Sequence, residues 1–199
     1  MDANFWDQRY SGEELVYGSE PNDFLVESAA AIPPGPVLCL AEGEGRNAVW
    51  LAGRGHPVTA VDQSAVALAK ARALAAARGV RLETVVADLA RFTIGAGAWA
   101  GIISIWGHLP PPLRRSVHAQ VARGLRPGGV FILEAYTPAQ LAFGTGGPRN
   151  VELLMAAAGL REELEGLECE ILRECEREVC EGTKHSGRAA VVQVLARRL

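Results

Sequence analysis

The stretch LAEGEGRNA, residues 40–48, holds the residues whose types and spacing most directly suggest chemistry. Gly43 and Gly45 permit a tight backbone turn and close approach to a ligand, with no Cβ in the way. A helix beginning there offers unpaired N–H groups to a carboxylate or phosphate. Asp62 closes the next apolar run, 17 positions after Gly45. A carboxylate at such a strand end accepts hydrogen bonds from both hydroxyls of a ribose. Together these residues indicate a nucleoside cofactor. Gly43-x-Gly45-x-x-Ala48 also satisfies the G-x-G-x-x-G/A pattern of dinucleotide sites, so a nicotinamide cofactor stands beside other nucleosides at this point.

Histidine is the side chain that exchanges protons near neutral pH, and two of the four histidines are placed to do so. His108 follows an apolar run in SIWGHLPPP, and His185 lies in the Gly-flanked segment EGTKHSG with Arg188 close by. His56 and His118 read as structural or solvated. Trp6, Tyr10 and Tyr17 are aromatic groups that either close over a cofactor or pack an N-terminal helix on the sheet. The GTGGPR stretch, 144–149, reads as an acceptor-side lid carrying Arg149, or as a turn. Cys39, Cys169, Cys175 and Cys180 form no C-x-x-C pair, so neither a metal nor a redox motif is expected.

These residues need a scaffold. PVLCL, PVTAV, RLETVVA, WAGIISI and VFILEAY are short apolar runs of the kind buried in a parallel sheet. Helical stretches alternate with them: AVWLAGRG, then Ala65–Arg78 with Ser64 as its N-cap, then about Leu113 to Gly124. Strand–helix alternation implies right-handed crossovers. Residues 1–35 read as a helical lead-in, with Pro21 at a first helical position and Pro33-Pro34-Gly35 as its stop. From 167 to 179 the pattern switches to a period of two with Glu on the even positions, except Leu172. With AAVVQVLA it forms a closing antiparallel hairpin around the loop EGTKHSG. The fold class is therefore α/β: a doubly wound, mostly parallel sheet with an antiparallel C-terminal hairpin. One domain, 1–199, with residues 36–199 as its core, is the expectation for 199 residues.

Composition narrows the partners. The net charge is −3 and no basic run stands out, which argues against nucleic acid or an anionic membrane. The polar N-terminus does not read as a signal peptide, and no apolar run reaches membrane-spanning length, so a cytoplasmic protein acting on a small molecule is expected. S-adenosylmethionine is favoured over a nicotinamide cofactor on three grounds. The chain leaves little room for a dehydrogenase substrate domain, Asp88-Leu89 follows the third strand where an adenine edge would lie, and GLRPGGVFILE introduces a fifth strand followed by a terminal hairpin.

The chain resembles the class I S-adenosylmethionine-dependent methyltransferases. Within them it is most similar to the tellurite-resistance type, and more distantly to thiopurine methyltransferase. WDQRYSGEELVYGSEPNDFL, CLAEGEGRNAVWLA, VTAVDQS, ADLA, GLRPGGVFILE and EGTKHSGRAAVVQ carry the likeness. The resemblance implies a seven-stranded sheet with only the last strand antiparallel. It implies that Ala41, Glu42, Gly43, Glu44, Gly45, Arg46 and Asn47 surround the methionine part of the cofactor. Asp62, with Gln63 beside it, would hold the ribose, and Asp88 and Leu89 the adenine. Ser104 would lie beside the transferring methyl, and His185 matches an active-site histidine of the tellurite-resistance type. From the residues themselves, Trp6 and Tyr17 are candidates to cover the cofactor, and His108 and Arg188 to serve the acceptor with His185. Cys39 and Ala41 stand where the family usually has an acid and a glycine, and Glu42 is the carboxylate available to replace the acid. The activity implied is methyl transfer to a small molecule, including a soft sulfur, selenium or tellurium nucleophile. A nicotinamide-dependent reductase and a non-catalytic S-adenosylmethionine-binding domain are the alternatives.

Overall fold

The computed structural model describes residues 3–199. Helix α1 (Ala3–Arg9) and helix α2 (Asp23–Ser28) lead into β1 (Val37–Leu40), α3 (Arg46–Gly53), β2 (Val58–Asp62), α4 (Ala65–Ala77) and β3 (Glu83–Val86). There follow β4 (Trp99–Ile105), α5 (Pro111–Gly124), β5 (Leu125–Tyr136), α6 (Ala157–Glu163), β6 (Glu168–Glu181) and β7 (His185–Arg197). The seven strands form one sheet in the order β3-β2-β1-β4-β5-β7-β6. β1 to β5 pair in parallel, and β7 runs antiparallel to both β5 and β6.

Both faces of the sheet are covered over its central strands, which is why β1, β2, β4 and the later part of β5 read as unbroken apolar runs. Side chains alternate along β1: Leu38 and Leu40 face α5 and α6, while Val37 and Cys39 face α2, α3 and α4. Local sequence explains where the helices start. Ser64 caps α4 by accepting a hydrogen bond from Ala67 N at 3.0 Å. Pro111 and Pro112 occupy the first positions of α5, where a missing N–H costs nothing. The N-cap of α2 is Asn22, which accepts from Leu25 N at 3.1 Å, so Pro21 precedes the helix rather than opening it.

The order reverses between β1 and β4. Connections from β1 lead toward β3 on one side and toward β7 on the other, leaving a crevice at the carboxyl ends of these strands. Ligands of open α/β sheets bind at such a switch point. Three differences from the sequence reading matter here. β5 begins at Leu125, through the Pro127-Gly128-Gly129 segment, with an irregular register against Trp99–Gly101 of β4. The terminal turn is tighter than expected: Glu181 pairs with His185 as the last rung of the hairpin, so His185 belongs to β7 and not to a loop. Helix α6 carries no strong periodic signal, and Glu163 anchors it by accepting from Arg114 and pairing with His118 at 2.8 Å.

Candidate functional site

The carboxyl ends of β1 to β4 open into a cavity of about 1200 Å³. A site for one ligand measures roughly 300–1,000 Å³, so there is room here for a donor and an acceptor side by side. The two sides of the cavity differ in chemistry. On the β1–β3 side the lining includes Ala41, Glu42, Asn47, Asp62, Gln63, Asp88 and Leu89. On the β4–β7 side it includes Trp106, His108, Leu109, Leu113, Leu153, Arg149, Lys184 and His185. The first side is acidic; among the described residues no carboxylate lines the second.

Asp62 is built as an acceptor. Its Oδ2 takes Gly43 N at 2.9 Å and its Oδ1 takes Ser64 N at 2.8 Å, which fixes the carboxylate and leaves each oxygen a further lone pair. It is 8 % exposed, and burial raises its pKa despite those backbone donors. Glu42 accepts from Ala48 N at 2.8 Å at the start of α3, and burial pushes its pKa up to about 7. The carboxylate expected to replace the acid missing at Cys39 therefore stands at the cavity wall, with buried Cys39 behind it. Ala41 has φ +50° and Trp106 has φ +59°, so the turns leaving β1 and β4 are both held in left-handed backbone by non-glycine residues. Such strain gathers where a site is held in shape by its surroundings.

The two glycines act differently from expectation. A Cβ on Gly43 would meet the Tyr10 hydroxyl at 2.8 Å, and one on Gly45 would meet Ala71 Cβ at 2.6 Å. The room they leave is filled by the N-terminal segment and by α4, and neither glycine lines the cavity. Ser104 does not line it either; its buried hydroxyl sits under Gly107. Glu44 reaches the wall but is held by Lys70 at 2.9 Å and by Val16 N at 2.7 Å. Arg46 also lines the cavity and is held by Glu181 at 2.6 Å and by Glu20 O at 3.1 Å.

Aromatic rings from the N-terminal segment bridge the two sides. Trp6 stacks on Tyr10 at 5.8 Å, Tyr10 meets Tyr17 at 6.1 Å, and Tyr17 lies 4.7 Å from the His185 ring. His185 is 7 % exposed. Its Nδ1 is buried, 3.9 Å from Glu181 Oε2 and beyond hydrogen-bond reach, so Nε2 is the nitrogen left to the cavity. Burial lowers its pKa, which keeps the ring neutral.

His108 and Arg188 correct the sequence reading. His108 Nδ1 pairs with Leu153 O at 2.9 Å, and its Nε2 accepts from Tyr136 N at 3.3 Å. Burial brings its pKa down to about 4. Both ring nitrogens are engaged by backbone, so His108 is a wall of the cavity and not a free base. Arg188 points away, pairing with Glu176 at 2.5 Å over the ring of Phe143. Residues that the sequence reading did not single out include Trp106, Tyr136, Lys184 and Glu181. Their signal was position: Trp106 and Tyr136 stand at the carboxyl ends of β4 and β5, where parallel strands deliver functional groups.

Comparison with known proteins agrees with this geometry. Residues 37–129 match a family model described as a methyltransferase domain. A 2-heptyl-1-hydroxyquinolin-4(1H)-one methyltransferase of Mycobacteroides abscessus is 32 % identical over 120 residues, covering 59 % of this chain and 53 % of the relative. The chain thus spans about half the length of that curated relative. A structure solved in a study of the conversion of a disulfide bond into a thioacetal group during echinomycin biosynthesis superposes with a TM-score of 0.76 at 25 % identity, covering 98 % of this chain and 92 % of the other. TehB from Haemophilus influenzae shares the fold, with a TM-score of 0.73 at 18 % identity over 99 % of this chain and 67 % of TehB. S-adenosylmethionine-dependent methyltransferases stand among the other solved neighbours. The cavity fits that cofactor: a fixed Asp62 carboxylate with lone pairs to spare suits a ribose, and Glu42 suits an ammonium. Residues 37–129 thus match a methyltransferase domain, on a fold shared with solved S-adenosylmethionine-dependent methyltransferases.

Proposed function

We propose that this chain methylates a small organic molecule, with the donor on the acidic side of the cavity and the acceptor on the apolar side. The observation that carries this reading is the division of one cavity into those two surfaces. Trp106, Leu109, Leu113 and Leu153 give the acceptor side, which they share with Arg149, Lys184 and His185, an apolar wall that suits an organic ring.

S-adenosylmethionine, when bound, supplies a methyl group that needs no activation by the protein. The chain's own task is to align the acceptor with that methyl and to exclude water, and such positioning contributes ~7–11 kcal/mol in well-oriented reactions. Trp6 and Tyr17 lie over the donor side for the second purpose. His185 offers a neutral Nε2 to the acceptor side and is the group we assign to take a proton from it. The similarity to a hydroxyquinolone methyltransferase supports an oxygen acceptor of this kind.

The test is methyl transfer from labelled S-adenosylmethionine to 2-heptyl-1-hydroxyquinolin-4(1H)-one and other hydroxylated heterocycles, to thiols, and to selenite and tellurite. Product from the organic compounds is expected. Turnover with tellurite or selenite alone would overturn the organic-acceptor reading. With an oxygen acceptor, His185→Ala should lower turnover by roughly 10²–10⁴-fold and leave S-adenosylhomocysteine affinity unchanged. Because burial lowers the His185 pKa, the wild-type rate at saturating S-adenosylmethionine should be level at neutral and alkaline pH and decline only in acid, as the ring takes a proton.

A further inference from the structure

Tyr136, at the carboxyl end of β5, is fully buried, and its hydroxyl has no hydrogen-bond partner among the described residues. Its ring is clamped, stacked on Trp106 at 4.3 Å and on His108 at 5.7 Å, with His185 edge-on at 5.3 Å. A rigid ring whose polar end is left unpaired costs stability, and such groups in native structures call for a reason.

The reason lies above it. A Cβ on Gly146 would stand 2.6 Å from Tyr136 Oη and 3.0 Å from His185 Cδ2. The Tyr136 hydroxyl and the Cδ2–Nε2 edge of His185 therefore converge beneath one glycine. Gly147 lies as close to the Tyr136 ring, where a Cβ would be 2.6 Å from Cδ2. Gly144, Gly146 and Gly147 have φ of +66°, +155° and +83°, a backbone that L side chains rarely adopt. Gly146 and Gly147 line the cavity, and Tyr136 lies directly behind them.

We propose that Tyr136 Oη and His185 Nε2 together hold the hydroxyl of the methyl acceptor, and that the glycine loop 144–149 lifts from this pair to admit it. This rests on the methyl-transfer reading above and names its substrate class: an apolar ring bearing an acidic O–H. A hydroxyl both donates and accepts, and the pair matches it. Burial and the neighbouring Glu181 and Glu134 carboxylates hold the Tyr136 phenol above its ordinary range, so it remains a donor. Burial keeps His185 neutral and able to accept. In the reaction, the acceptor's O–H bond breaks and its proton passes to Nε2. The oxygen takes the methyl group, and the electron pair of the breaking carbon–sulfur bond stays on sulfur.

The test uses binding, so it does not depend on finding the natural acceptor. 1-Naphthol and naphthalene are titrated into the full-length protein saturated with S-adenosylhomocysteine, for wild type and Tyr136→Phe. Wild type should bind 1-naphthol about tenfold more tightly than naphthalene, the size of one buried hydrogen bond. Tyr136→Phe should abolish that preference, keep its S-adenosylhomocysteine affinity, and melt at the same or a higher temperature, because it removes an unpaired buried hydroxyl. Equal affinity of wild type for the two probes, including no affinity for either, overturns the proposal. So does a Tyr136→Phe protein that keeps the preference, or one that melts lower, which would make the hydroxyl structural. Failure of wild type to bind S-adenosylhomocysteine would instead strike the methyl-transfer reading.

Discussion

If S-adenosylmethionine binds as proposed, Glu42 is the side chain that should set a measurable property of its binding. It lines the cavity at the start of α3, and burial raises its pKa to about 7. A carboxylate pairs with the cofactor's ammonium only when ionised. Below pH 7 binding must first remove a proton from Glu42, so affinity falls as pH falls; above pH 7 the group is already charged. We expect S-adenosylhomocysteine affinity to rise by about fivefold between pH 6 and 7 and by about tenfold in all by pH 8, where it levels off, measured by titration calorimetry. Glu42→Gln should bind more weakly and show a flat profile over the same range. A steep profile that persists in Glu42→Gln would assign the titration to another group. Asp62→Ala should weaken binding by ~1.5–3 kcal/mol, the value of a charged hydrogen-bond partner. Asp62 was readable from sequence because a carboxylate ending a buried strand has few other uses. Tyr136 was not: a tyrosine closing an apolar run reads as core, and only the three-dimensional neighbourhood shows its hydroxyl unpaired.

At the scale of elements, the site depends on how the terminal hairpin is tied to the cofactor loop. Glu181, the last residue of β6, accepts from Arg46 at 2.6 Å, Asn22 at 2.8 Å and Trp106 Nε1 at 2.5 Å. Those partners hold the start of α3, the entry to α2 and the end of β4. Arg177 extends the network, pairing with Glu134 at 2.6 Å, and Gln193 donates to the other Glu134 oxygen at 2.6 Å. The favourable donors bring the Glu181 carboxyl down to about 2 against the cost of burial. Arg46 and Glu181 are 7 % and 5 % exposed in their side chains, so removing one strands the other in a dry site. Arg46→Met should therefore destabilise the fold by about 3 kcal/mol, read as a lower urea midpoint. Adding Glu181→Gln should recover part of that loss, because no buried charge is then left over. A purely additive pair of losses would show the two residues to be independent. None of this network was legible in the sequence, since its members are far apart and each reads as an ordinary surface charge. The hairpin itself was legible from its period of two, although the turn was placed too wide and His185 was read as a loop residue. Gly45 has a packing role that its motif does not reveal: its missing side chain lets α3 approach Ala71 of α4.

For the whole molecule, the alternation of apolar runs and helices was enough to specify the doubly wound sheet. Burial on both faces leaves the central parallel strands apolar, and crossovers of one hand admit few topologies. Which nucleoside such a sheet accepts is not decided by the glycine spacing, because the same loop geometry serves dinucleotides. The proposed choice rests on the cavity, where Glu42 and Asp62 line one side and could meet an ammonium and a ribose, with a separate acceptor side opposite. The consequence is a selective gain in global stability. A ligand bound only by the native state adds about 2.7 kcal/mol at a concentration 100 times its dissociation constant. For a chain of 199 residues that corresponds to a rise of about 5–10 °C in melting temperature, at roughly 2–4 °C per kcal/mol. S-adenosylhomocysteine should give this shift, and NADH and NADPH at equal concentration should give none. A shift with NADPH and none with S-adenosylhomocysteine would return the nicotinamide reading. The shift should shrink in Asp62→Ala and persist in Tyr136→Phe, because the first residue serves the donor side of the cavity and the second the acceptor side.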